Sequence, residues 1–387
     1  MHSPKHIVIV AGEESGDLHA AAMARHLQEK YPQVQISGIG GQHLKAAGVH
    51  LISDLAQYGV TGITEVLRHL LVIRKALKDI KHHLQHEKPD LLILVDYPGF
   101  NLNLAKYAKR ILNIKILYYI SPQIWAWKAK RIQLIKECVD HMAVILPFEK
   151  AIYQQARVPV DFVGHPLLGK IAQVGTQVQE RQFLGLSVKK QIIALLPGSR
   201  SHEIERHMPV LHDTANKLQS YNPELQFILP IAGTIDSKKI KKYFQHSKVN
   251  IHFIEGKALH CMAAADFVIV ASGTASLECA LLKKPMCIIY KSSFLTYLLA
   301  SKLIKVKFLG LCNLLSNKMI VPEFLQYDCN TKELVKFIIR FFNDKNLQEH
   351  MQRDLEHLSN SLSLKKSERS LNNLIEEMLL KNNALIS

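Results

Sequence analysis

Short, predominantly apolar runs separated by helix-length stretches recur through most of this chain, among them Ile7–Ala11, Leu91–Val95, Ile114–Ile120, Ile192–Leu196 and Phe267–Ala271. A strand without polar alternation is buried on both faces, and a parallel sheet covered by helices on both sides supplies that environment. In the first half the pattern predicts strands over 6–11, 34–39, 91–96, 114–120, 141–146 and 160–163, with helices over 16–30, 64–86, 101–112 and 149–156. In the second half it predicts strands over 191–196, 226–231, 250–254, 267–271 and 286–290, with helices over 203–219, 236–246, 257–264 and 274–283. That many strands exceed one ordinary doubly wound sheet. The pattern lapses near 165–190, where polar and Gly residues interrupt it. The expectation is an α/β chain of two Rossmann-like parallel-sheet domains facing a cleft, 1–166 and 167–345. A charged helical tail over 346–387 would pack back on the first domain.

Of the 387 residues 48% are hydrophobic, enough for large cores and against disorder. Lys and Arg number 49 against 33 Asp and Glu, a formal net charge of +16 that favours an anionic partner. The six cysteines form no CxxC pair and read as buried free thiols of a reducing compartment. No apolar run approaches the roughly 18 residues of a spanning helix. The expected location is cytoplasmic, with peripheral membrane association.

Four strand-to-helix turns carry the small or charged residues that ligand chemistry needs. In Ala11–Asp17, Gly12 and Gly16 allow backbone approach, Ser15 or Asp17 would cap the helix, and free N–H groups there would take an anion. A capped helix without ligand is the plainer alternative. Neither this turn nor Gly38–Gly41 has the GxGxxG spacing of a dinucleotide-binding dehydrogenase. Leu195–Arg200 offers Gly198 and Ser199 as backbone donors and Arg200 as a fork for phosphate oxygens. Its alternative is an ion pair with Glu203. In Ala271–Glu278, Gly273, Thr274 and Ala275 bring donors close to a diphosphate. Glu278, a turn later, would accept both hydroxyls of a ribose or serve as an ordinary first-turn acid. Asp96 ends a strand, which suits a general base or a turn aspartate.

Two further segments suggest an amphiphilic ligand. Both tryptophans, Trp125 and Trp127, precede Lys128, Lys130 and Arg131, a combination suited to an apolar body with an anionic head. Val66, Leu70, Ile73, Leu77 and Ile80 form one helical stripe edged by Arg74, Lys75 and Lys78. That stripe fits a membrane surface or acyl groove, or simply a sheet-covering helix. Phe294–Leu315 is similarly apolar.

AGEESGD (11–17), GIGG (38–41), GVTGITEVL (59–67), VDYPGFN (95–101), YYISPQIWAWKAKRI (118–132), ILPFE (145–149), FVGHPL (162–167), LLPGSRSHEI (195–204), SGTASLE (272–278) and VPEFLQ (321–326) run in order along nearly the whole chain. Together they resemble the lipid-A-disaccharide synthase family, inverting glycosyltransferases of the GT-B fold. The resemblance implies a UDP-diacylglucosamine donor, a diacylglucosamine 1-phosphate acceptor, a β-1,6 disaccharide 1-phosphate product, and no cofactor or metal. It implies Asp96 as base and Arg200 on the leaving diphosphate. Ser15, Gly16, Gly198, Ser199, Gly273, Thr274, Ala275, Glu278, Asn313 and Gln326 would bind the UDP-sugar. Trp125, Trp127, Lys128, Lys130, Arg131, Val66, Leu70 and Ile73 would meet the acceptor and its lipid. An anionic inner-membrane surface is an expected partner, nucleic acid is not, and a homodimer stays open. The rival readings are another UDP-N-acetylglucosamine-dependent GT-B enzyme or a non-catalytic lipid- or nucleic-acid-binding protein.

Overall fold

The computed structural model describes residues 5–55, 63–122, 131–292, 307–365 and 368–380, with the backbone alone for 63–69 and 380. Trp125, Trp127, Lys128, Lys130, the Val66 side chain and 293–306 lie outside the described residues. The chain parts into two compact units, 1–166 with 364–387, and 167–363.

The first unit holds β1 (His6–Ala11), α1 (Glu14–Lys30), β2 (Gln35–Gly40), α2 (Gln42–Ala46), β3 (His50–Asp54), α3 (Ile63–Glu87), β4 (Leu91–Val95), α4 (Pro98–Leu112), β5 (Ile116–Tyr119), α5 (Arg131–Cys138), β6 (His141–Val144), α6 (Pro147–Gln155) and β7 (Val160–Phe162). Its parallel strands lie in the order β3-β2-β1-β4-β5-β6-β7. Strand geometry sends alternate side chains to opposite faces. Val8 and Val10 therefore join one core with residues of α3, α4 and α5, while Ile7, Ile9 and Ala11 join another with α1. The order reverses between β1 and β4, the switch point where such sheets bind ligands beyond their carboxyl ends.

The second unit holds α7 (Leu167–Ile171), α8 (Gln177–Phe183), β8 (Ile192–Leu196), α9 (Ser201–Tyr221), β9 (Gln226–Ile231), α10 (Ser237–Tyr243), β10 (Ile251–Glu255), α11 (Ala258–Ala264), β11 (Phe267–Ala271), α12 (Thr274–Leu281), β12 (Met286–Tyr290), α13 (Leu311–Ser316), β13 (Glu323–Leu325), α14 (Thr331–Asn343) and α15 (Lys345–Leu362). Its parallel order is β10-β9-β8-β11-β12-β13, which reverses between β8 and β11. All six cysteines are free and buried.

Two features depart from the expectation. Strands β3 and β13 were not anticipated: β3 is an edge strand of half-buried residues ending in Ser53 and Asp54, and β13 has three residues. The tail is also not one piece. Helix α15 buries Met351, Leu355 and Leu358 and stays with the second unit, where the Ser359 hydroxyl donates to the Leu281 carbonyl at 3.5 Å. Only after Ser363 does the chain return, and α16 (Leu371–Leu380) closes the first unit's α1 core with Leu374, Ile375, Met378 and Leu379. Lys30 pairs with Glu376 at 2.6 Å, and Lys115 donates to the Met378 carbonyl at 2.8 Å.

Candidate functional site

Ala11 pairs with Val95, so the turns after β1 and β4 are neighbours at the first switch point. Chain direction changes abruptly after β4, because Asp96 and Tyr97 both adopt left-handed backbone, at φ 47° and 45°. The Tyr97 ring then lies over Gly12, where a Cβ would overlap it. Pro98, pre-set for a first helical turn, opens α4. The Asp96 carboxyl is half-buried, and burial, then the nearby Glu13 charge, push its pKa up to about 6 against a hydrogen bond from the Tyr97 N–H. That is a range in which a carboxylate both accepts and releases protons near neutrality.

Ser15 is exposed in the first turn of α1 and Gly16 is buried behind it. Neither Ser15 nor Asp17 caps α1, whose N-cap is Glu13 without a side-chain bond. Asp17 instead accepts from the backbone N–H groups of Gly41 at 2.7 Å, His43 at 2.9 Å and Leu44 at 3.2 Å. It thus caps α2 and ties the first two turns together. The stripe on α3 divides as well. Ile73 and Leu77 pack on the core and Ile80 is fully buried, which is sheet covering, whereas Leu70 and Leu71 are 43% and 67% exposed. Arg131 is half-buried at the start of α5.

The second switch point carries a cavity of about 430 Å³, within the range of small-molecule sites. Gly198, Ser199, Arg200, Gly273, Thr274 and Ala275, all candidates from the sequence, line it. Gly198 at φ 114° and Gly273 at φ 147° occupy backbone regions that favour glycine. Thr274 and Ala275 begin α12, with the helix N-terminus at the cavity. The Arg200 side chain is 73% exposed and pairs with Glu203 at 3.4 Å.

Three of the candidates already have partners within the second unit. The Ser199 N–H is not free: Glu203 accepts from it at 3.0 Å and from the Arg200 N–H at 3.2 Å, so a carboxylate shapes this turn. Asn313 is fully buried, and its amide is spent inside α13 and β13, donating to Val321 O and Glu323 at 2.8 Å and accepting from Ile320 and Val321 N–H. Gln326 is committed to Ser292, accepting from its N–H at 3.3 Å and donating to its hydroxyl. Neither Asn313, Gln326 nor Glu278 lines the cavity. Glu278 is half-buried, and burial raises its pKa against the Lys170 charge.

Sequence reasoning also missed two participants. His207, fully buried on α9, donates from Nδ1 to the Pro197 carbonyl at 2.7 Å and accepts at Nε2 from the Lys291 N–H at 2.9 Å. These partners fix a neutral tautomer, and burial lowers its pKa. His207 therefore pins the turn after β8 to the end of β12. Lys257 lines the cavity from a left-handed position at φ 53°, with its ammonium 4.3 Å from the Phe183 ring centroid. A Gly-Lys step after β10 was its only signal.

The fold has counterparts among known proteins. The glycotransferase of kitacinnamycin matches at TM-score 0.63 and 13% identity, over 97% of this chain and 99% of that one. UDP-GlcNAc 2-epimerase from Neisseria meningitidis bound to UDP-GlcNAc matches at TM-score 0.60 and 15% identity, over 97% and 100%. In sequence, Lipid-A-disaccharide synthase 1 of Legionella pneumophila strain Philadelphia 1 is 62% identical over 384 residues, 99% of this chain and 100% of that protein. The family profile described as Lipid-A-disaccharide synthetase matches residues 7–378. With the profile and a full-length relative agreeing, the chain belongs to the lipid-A-disaccharide synthase family of GT-B glycosyltransferases.

Proposed function

We propose that the chain transfers 2,3-diacylglucosamine from its UDP derivative to the 6-hydroxyl of 2,3-diacylglucosamine 1-phosphate, giving the β-1,6 disaccharide 1-phosphate and UDP. Family membership supports the reaction. The observation that carries the mechanism is the Asp96 carboxyl, poised at about 6 beside the first switch point. Ionised Asp96 takes the hydroxyl proton as the acceptor oxygen bonds to the anomeric carbon. The bond from that carbon to the diphosphate breaks on the opposite face, with inversion through an oxocarbenium-like transition state. UDP leaves with its diphosphate stabilised by the N-terminus of α12 and by Arg200. Glu278, on α12 beyond the cavity lining, receives the ribose hydroxyls. No described helix is long and apolar enough to cross a membrane. Leu70 and Leu71, edged by exposed Arg74, Lys75 and Lys78, make the contact with an anionic leaflet that carries both lipid substrates.

The test is UDP release from UDP-2,3-diacylglucosamine with and without acceptor, with the lipid product weighed by mass spectrometry. Acceptor-dependent release and a disaccharide 1-phosphate are expected. Asp96→Asn should lower turnover by about two decades or more while UDP still binds. Full turnover by that variant would remove Asp96 as the base.

A further inference from the structure

The bend that presents Asp96 is held from inside the first unit by residues with no part in the chemistry above. Two successive non-glycine residues in left-handed backbone are unfavourable, and such strain persists only where surrounding contacts over-determine it. Here the contacts converge on one atom. The Asp96 carbonyl oxygen accepts from the Tyr118 hydroxyl at 2.7 Å and from the Asn101 amide at 2.8 Å. The same amide reaches the Val95 carbonyl at 3.2 Å. Both donor side chains are fully buried, Tyr118 on β5 and Asn101 in the first turns of α4. The other side of the bend is closed by Tyr97, whose ring lies on Gly12 and 5.8 Å from the Phe100 ring. A sheet strand can end without any of this. A glycine would turn the chain with no strain and also with no fixed direction.

We propose that Asn101 and Tyr118 are positioning residues for Asp96: by clamping its carbonyl oxygen they lock the 96–97 bend and so fix where the carboxylate meets the acceptor hydroxyl. The proposal rests on Asp96 being the base. It assigns Asn101 and Tyr118 no contact with substrate. Freed from the clamp, the 96–97 peptide rotates, and a carboxylate displaced by about an ångström loses on the order of 100-fold in rate.

The test compares full-length Tyr118→Phe and Asn101→Ala, each alone and combined with Asp96→Asn, by kcat, the pH profile of kcat/KM and UDP Kd. Tyr118→Phe should lower kcat roughly tenfold and Asn101→Ala roughly 30- to 100-fold. UDP Kd should stay within about twofold, because the nucleotide cavity belongs to the other unit. The acid limb of kcat/KM should move, since the carboxyl changes surroundings. On the Asp96→Asn background neither substitution should lower kcat further, because there is no base left to misplace. Wild-type kcat with an unmoved limb would overturn the proposal. So would an equal fold-loss on the Asp96→Asn background, which marks a general structural role. Should Asn101→Ala fail to fold, Tyr118→Phe, which deletes one oxygen, decides alone. If Asp96→Asn by itself leaves kcat unchanged, the base assignment has failed first, and the clamp falls with it.

Discussion

Asp96 sets a conflict between folding and the proposed catalysis. Its folded pKa of about 6 lies above the ordinary 3.8, so the native state holds the proton more tightly than the unfolded chain between those values. Stability therefore falls as pH rises from about 3.8 to 6, and the full penalty, about 1–3 kcal/mol, remains at higher pH. Asp96→Asn removes the ionisation. It should be more stable than the natural protein by about that amount at pH 8 and gain nothing at pH 4. Urea unfolding at both pH values measures it, and equal differences would show that burial does not strain this carboxyl. Asp96 was legible in the sequence because a lone acid closes an apolar strand. What raises its pKa was not, because burial and the opposing Glu13 come from strand pairing across 84 residues, Ala11 to Val95. The roles of Asp17 and His207 escaped for the same reason. Each resembles an ordinary helix residue until its distant backbone partner is seen. Asn313, a candidate by motif, has its amide fully used inside the second unit, which the motif did not show.

At the scale of elements, the strands that read correctly are those buried on both faces, such as β4 and β11, where every residue is buried. The two that were missed are edge strands, half-exposed and short, whose pairing rests on a neighbour rather than on their own pattern. Helix α3 shows how one apolar stripe serves two ends. From Val72 onward it covers the sheet, and at Leu70 and Leu71 it meets solvent. The proposed membrane contact belongs to the second part. Each Lys or Arg near an anionic surface contributes about 1 kcal/mol, so reversing Arg74, Lys75 and Lys78 together should weaken binding to anionic vesicles by 100-fold or more at low salt. Vesicle co-sedimentation reads this out. Undiminished binding would move the contact elsewhere on the molecule.

For the whole molecule, the division into units is not a division of the chain into halves. The second unit is one continuous stretch, while the first needs α16 to cover Leu27, Ile93 and their neighbours. Four buried apolar side chains of α16, at about 1.5–3 kcal/mol each as an upper bound, are comparable to the whole stability of a domain. A chain ended after Ser363 should lose activity and the first unit's cooperative unfolding transition, yet keep UDP affinity in calorimetric titration. Retained turnover would make α16 dispensable. The same arrangement orders events at the ribosome. Domains fold as units while synthesis proceeds at about 5–20 residues per second. The second unit emerges whole and can fold at once. The first waits, incomplete, for a helix made roughly 200 residues after its last strand, on the order of ten seconds or more. During that interval the nascent chain carries an uncovered apolar sheet face, where a chaperone would bind, and the Asp96 half of the machinery is finished last.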